Sequence, residues 1–143
     1  MKVVQFTIPV NIDNSIHFQE DRLPYFYPHL HRHKEIQITW VLSGDGMLLL
    51  DNTMQHFQSG DVFVIGANQP HLFKSDPSYF DLKNRKKVHS LNIFFNPDGF
   101  ISHLLNFPEM LGIKKFMRST VFGLQTTGKN AAKLGELFLK IGN

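Results

Sequence analysis

Between residues 47 and 95 the apolar runs are short, and Gly, Asn or Asp turns keep interrupting them. Residues 47–50, 54–57, 62–65, 71–73 and 88–95 are each of strand length. Between them stand Asp51-Asn52, Ser59-Gly60-Asp61, the run Gly66-Ala67-Asn68-Gln69-Pro70, and a loop with charged and Pro residues over 75–87. Turns recurring about every eight to twelve residues predict an all-β barrel or sandwich. Two extended pieces come earlier, at 3–8 and 15–18, joined across Pro9 and the turn-prone Asn11-Ile12-Asp13-Asn14. They read as an arm that adds an edge strand or folds over a pocket mouth.

The stretch PHLHRHKEIQITWVLSG sets His29, His31 and His33 at alternating positions and ends at the glycine turn Gly44-Asp45-Gly46. Side chains two apart in a strand share a face. An unbroken strand would therefore place His31, His33, Gln37, Thr39 and Val41 on one side and Ile36, Ile38, Trp40 and Leu42 on the other. Imidazoles and an amide in front of an apolar row suit the wall of a small barrel with a polar pocket inside.

The chain has 143 residues, 42% hydrophobic and including 14 phenylalanines, which is enough for one real core and argues against disorder. No apolar run approaches the roughly 20 residues that span a bilayer, so no membrane partner is expected. The amino terminus has no long apolar core, which argues against a secretion signal. With no cysteine, disulfides, thiolate chemistry and cysteine metal sites are excluded, and a cytoplasmic location fits. The net charge of +3 is scattered except for Lys83, Arg85, Lys86 and Lys87, which read as a solvated loop. Nothing resembles a helix-turn-helix, so this segment alone is not expected to hold DNA. No catalytic triad, phosphate loop or glycosidase-type carboxylate pair is evident; Asp45, Asp51, Asp61 and Asp98 sit in turns.

Beyond Asn96-Pro97-Asp98-Gly99 the pattern changes. Residues 100–107 and 108–111 read as short helical turns, the second stopped by Gly112. From 129 to 141, Ala131, Leu134, Phe138 and Ile141 form a helical stripe with Leu137 beside it. That stripe can pack on the barrel or meet a partner helix in a dimer. The pattern runs on to Gly142-Asn143 without a convincing cap, as expected of a cut piece of a longer protein.

The histidine row and its surroundings resemble the two cupin motifs. The first carries two histidines one apart, a glutamate and a glycine; His31, His33, Gln37 and Gly44 keep its spacing, with glutamine in place of glutamate. The second begins at a glycine with a histidine eleven positions on. Gly60 and His71 fit, while Gly66, Asn68 and Ser75 replace the usual proline, glycine and asparagine. The strings HKEIQITWVLSGDG, SGDVFVIGANQPHLF and VHSLNIFFNPDGF are similar to those in the amino-terminal ligand-sensing domain of AraC-type transcription regulators, over roughly residues 25–142.

This resemblance implies a mostly β fold: a small cupin barrel (double-stranded β-helix, jelly-roll-like) followed by C-terminal helices. Residues 1–100 would be the sensor barrel with its arm, and 101–143 a helical dimerisation segment. It also implies a small-molecule effector, a sugar among the candidates, and a homodimer through the C-terminal helix. DNA would be held only by a further domain, and no enzyme activity is expected. The alternative is a small metal-dependent cupin enzyme of the oxygenase or isomerase type.

His31, His33, His71 and Gln37 are the candidate ligands of a divalent metal, with zinc, nickel, iron or manganese suited to three imidazoles and one oxygen. Glutamine supplies a neutral oxygen but not the charge that helps hold such an ion. In the other reading the same four side chains, with Thr39 and Tyr27, hydrogen-bond a small ligand without metal. His29 falls outside the motif and reads as a rim residue. His17, His56, His89 and His103 have no partner at useful spacing. Trp40 is expected in the core between barrel and helices. Glu35 has the parity to enter the pocket but misses the motif spacing, and Tyr25 and Tyr27 are candidates for the mouth.

Overall fold

The structure, a computed structural model, describes residues 2–8, 15–81, 83–99, 101–119, 124–126 and 128–142, without the side chains of 101, 124, 141 and 142. The expected turn at 11–14 and the side chain of Ile141 lie outside the described residues. The strands are β1 (Val4–Gln5), β2 (Ile16–Leu23), β3 (His31–Arg32), β4 (Ile36–Ser43), β5 (Gly46–Leu50), β6 (Thr53–Phe57), β7 (Val62–Ile65), β8 (His71–Ser75) and β9 (Val88–Phe95). The short helices α1 (Ile101–Leu104) and α2 (Leu111–Ser119) follow, then β10 (Leu124–Thr126) and α3 (Gly128–Gly142).

Two five-stranded sheets form, with orders β1-β3-β8-β5-β6 and β10-β7-β4-β9-β2. They face each other as a jelly-roll-like barrel, as expected from the turn spacing. The histidine strand, however, is broken: β3 belongs to the first sheet and β4 to the second. The ring Nδ1 of His33 lies 3.0 Å from the Glu35 carbonyl, and the His33 carbonyl accepts from Asn68 N–H. These local bonds replace a continuous ladder and carry the chain from one sheet to the other.

Inward side chains change character along each strand. On β4 they run Gln37, Thr39, then Val41; on antiparallel β9 they run Val88, then Ser90, Asn92 and Phe94. One end of the interior is therefore filled by Phe26, Val41, Leu48, Phe57, Phe63, Ile65, Phe73 and Val88, and the other is polar. Gly46 is required at the start of β5, because a Cβ there would sit 2.1 Å from the Lys74 carbonyl oxygen.

The outer face of the second sheet carries Leu91, Ile93, Val62, Ile38, Trp40 and Leu42, and α3 packs there through Ala131, Leu134 and Phe138. Burying a side chain such as Phe138 contributes about 1.5–3 kcal/mol, so this stripe docks α3 on the barrel. Leu137 stays half exposed.

Two expectations need correction. The piece expected at 15–18 extends to Leu23, because polar Gln19, Glu20, Asp21 and Arg22 continue the ladder on an edge strand paired with β9. Gly112 does not end a turn; it lies in the first turn of α2, where amide groups have no intrahelical partner to lose. The strand β10, pairing with β7 through Leu124–Thr126, was not expected at all. Among the described residues no helix is long and apolar enough to cross a membrane.

Candidate functional site

The polar end of the interior is a cavity of about 320 Å³. His31, His33, Gln37, Thr39, His71 and Tyr27, the six site residues expected from the sequence, all line it. Phe6 and Ile8 from the arm reach it as well. Phe6 lies against Tyr27 and His31, with ring centroids 5.4 and 5.6 Å apart. Tyr25 instead stacks on Phe80 and is not part of the lining. His29 is exposed beside Tyr27, at the rim.

The pairing of β3 with β8 sets His31 directly opposite His71. Ligand atoms of His31, His33 and His71 all lie within 4.8 Å of one another. In each ring Nδ1 is engaged by a backbone carbonyl: His29 for His31 (2.8 Å), Glu35 for His33 (3.0 Å) and Gln69 for His71 (2.8 Å). A carbonyl only accepts, so each Nδ1 carries its proton and Nε2 is the nitrogen left for a guest. Backbone carbonyls orient metal-binding histidines in this way.

Two further observations fit a cation. His71 Nε2 is buried and is the unsatisfied polar side-chain atom found among the described residues. His33 Nε2 lies 3.0 Å from Gln37 Oε1. With Nδ1 already donating, these two acceptors are reconciled by a metal ion beside them. Burial also holds His31 below the ordinary imidazole range, and pushes His71 down to about 3 with help from neighbouring His31. Neutral imidazole is the form that ligates. A divalent metal held by His31, His33, His71 and Gln37 Oε1 therefore suits the donors present.

Glu35 is buried, but not in the cavity. Its carboxylate stands 3.7 Å from His33 Nδ1, on the far side of the ring. His17 is near Gln19 and stacks on Phe94, while His89 pairs with Glu20 across β2 and β9 at 2.7 Å. His89 thus has a partner that the sequence spacing did not reveal. His56 and His103 are exposed.

The sequence reading missed the second polar wall. Gln19 and Asp21 on β2 and Ser90 and Asn92 on β9 line the cavity opposite the histidines. Asn92 donates through Nδ2 to Asp21 Oδ2 (3.0 Å) and Ser90 Oγ (3.1 Å), and Gln19 Nε2 donates to Asp21. The signal was alternation in VHSLNIFF, where Ser90 and Asn92 share a face with Val88 and Phe94.

Residues 24–78 match the family model described as Cupin domain. ToxT from Vibrio cholerae superposes with a TM-score of 0.53 at 17% identity, over 87% of this chain and 48% of ToxT. A cupin protein from Bacteroides fragilis gives 0.48 at 19% identity, over 61% of this chain and 70% of that one. The S161A mutant of Bacillus subtilis oxalate decarboxylase gives 0.44 at 16%, over 73% and 29%. No curated protein sequence matches the chain. Sheet order, the paired histidines and the matched segment agree: the chain has a cupin fold, mostly β with C-terminal helices, and the match to the cupin family model falls on residues 24–78.

Proposed function

We propose that the chain is the ligand-sensing domain of an AraC-type transcription regulator and takes a small molecule into the cavity between its sheets. The cavity carries this reading. It is near the small end of ligand pockets, with fixed polar groups on two walls and aromatic and aliphatic side chains around them. Among the described residues its lining includes one carboxylate, Asp21, and no lysine or arginine. With His31 and His71 kept neutral, an anionic guest meets no counter-charge, whereas hydroxyl groups find acceptors at Asp21 and Gln37. The chemistry favours a neutral, polyhydroxylated molecule of sugar size. The superposition on ToxT, an AraC-family regulator, adds a likeness of fold over nearly the whole chain.

In this reading a second copy packs against the exposed face of α3, where Leu137 and Leu139 are half exposed, and DNA is held by a separate domain in the cytoplasm. A ligand acts by preferring one of two arrangements of arm or helix, since equal affinity for both shifts nothing. Titration calorimetry with neutral sugars, amines and carboxylates tests it. Binding of a neutral polyol, weakened in Asp21→Ala, supports the reading; silence across the panel, or binding of carboxylates alone, contradicts it.

The nitrogen geometry of the three histidines favours a second reading, a metal-dependent cupin enzyme. A bound metal would supply Lewis acidity or oxygen activation. Metal analysis of protein never exposed to a nickel column separates the two. A near-stoichiometric metal that disappears in His71→Ala, together with turnover of a bound substrate, would favour the enzyme.

A further inference from the structure

Gln37 stands where a symmetrical carboxylate would present oxygen whichever way it turned. An amide is not symmetrical: one end accepts and the other donates. Which end meets the histidines decides whether the site attracts or repels a cation. A chain of hydrogen bonds beginning on β2 settles it. The Asp21 carboxylate only accepts, so Asn92 must turn its Nδ2 toward it, at 3.0 Å. That leaves Asn92 Oδ1 facing Thr39, whose hydroxyl donates to it at 2.7 Å. The single hydroxyl proton is then used, so Thr39 Oγ1 accepts from Gln37 Nε2, at 2.6 Å. Gln37 Oε1 is thereby left pointing at His33 Nε2, at 3.0 Å.

We propose that Asp21, Asn92 and Thr39 are positioning residues that fix the amide of Gln37 with its oxygen toward the three histidines. Thr39, Asn92 and Gln37 are buried, so water does not compete for these bonds. The relay crosses three adjacent strands, β2, β9 and β4, so the second sheet itself holds the amide in place. The orientation does not depend on the function proposed above; its effect on a bound cation rests on the metal fit of the histidines.

The test has two arms. In labelled, metal-free protein, NMR should show the Gln37 side-chain amide protons close to the Thr39 methyl group and not to the His33 ring; proximity to His33 instead overturns the proposal. In the second arm Ni2+ is titrated into the wild type, Thr39→Val, Thr39→Ser, Gln37→Glu and the double variant Gln37→Glu/Thr39→Val. Losing an orienting partner lowers metal affinity by about ten- to a hundredfold. That loss is expected in Thr39→Val and is reversed in Thr39→Ser, which keeps the hydroxyl. In the Gln37→Glu background both ends of residue 37 are oxygen, so Thr39→Val should have little further effect. An equal loss in both backgrounds means that Thr39 only shapes the pocket and overturns the proposal. If the wild type takes up no Ni2+, the metal reading fails, and the NMR arm alone decides the orientation.

Discussion

At Gly135 helix α3 lies close against Trp40 of the barrel, and Gly135→Ala sets two known effects against each other. A Cβ at this position would lie 2.6, 2.6 and 2.8 Å from three atoms of the Trp40 indole. Replacing glycine by alanine in a helix interior stabilises it by about 1 kcal/mol. Forcing an atom into a packed contact costs about 1–3 kcal/mol. The indole is rigid, is anchored on β4 and has Phe138 beside it, so it offers no flexible end to swing away. The clash should win, and Gly135→Ala should be less stable by up to about 2 kcal/mol. Urea unfolding followed by the fluorescence of Trp40, the single tryptophan, reads both quantities: a lower midpoint and a native emission shifted to the red as α3 lifts. Gly112→Ala is the control, because a Cβ there meets nothing within 4 Å. It should leave stability unchanged or raise it by up to about 1 kcal/mol. If Gly135→Ala proves as stable as the wild type with unchanged emission, α3 does not dock on Trp40 as described.

The metal-free protein should lose stability in mild acid. His71 is pushed down to about 3 in the folded chain and returns to about 6.5 on unfolding, so the unfolded state binds more protons below pH 6.5. Stability is then level above pH 6.5 and falls toward pH 3, by about 2 kcal/mol at pH 5 from this residue. Equal urea midpoints at pH 7.5 and 5 would contradict it. Tyr79→Phe should destabilise by about 1–3 kcal/mol, because the Tyr79 hydroxyl donates to Asp45 Oδ1 at 2.7 Å and holds the turn before β5; thermal unfolding checks this. Gly46→Ala should cost more than either, because backbone rather than a side chain blocks the new Cβ; a variant that folds and melts like the wild type would refute that contact.

Strands β5 to β9 were legible because their runs are largely apolar and bounded by turn residues, and 88–95 is found where the pattern put it. The partnership of His31, His33, Gln37 and His71 was legible through motif spacing, although β3 and β4 lie in different sheets. Parity counting fails across such a break, as Glu35 shows: it is buried behind His33 instead of entering the cavity. The wall made by Asp21 and Asn92 was hidden for a different reason. Polar residues on a strand ordinarily face water, and nothing local in HFQEDRL or VHSLNIFF says that Asp21 and Asn92 face each other across a register. Helix α2 escaped although LGIKKFMRS is amphipathic, because Gly112 was read as a stop when it lies inside the first turn; its apolar residues Leu111, Ile113 and Phe116 are exposed. The short β10 takes its place from β7, a long-range pairing that its own three residues do not encode.

One titration probes the centre directly. Paramagnetic Co2+ added to labelled protein broadens the imidazole signals of those histidines, out of eight, that lie around it. His31, His33 and His71 should broaden together at one equivalent, while His56, His89 and His103 stay sharp. Broadening that starts at the exposed rings, or no selective broadening of the three, would show that these side chains do not form one cation-accepting centre inside the barrel.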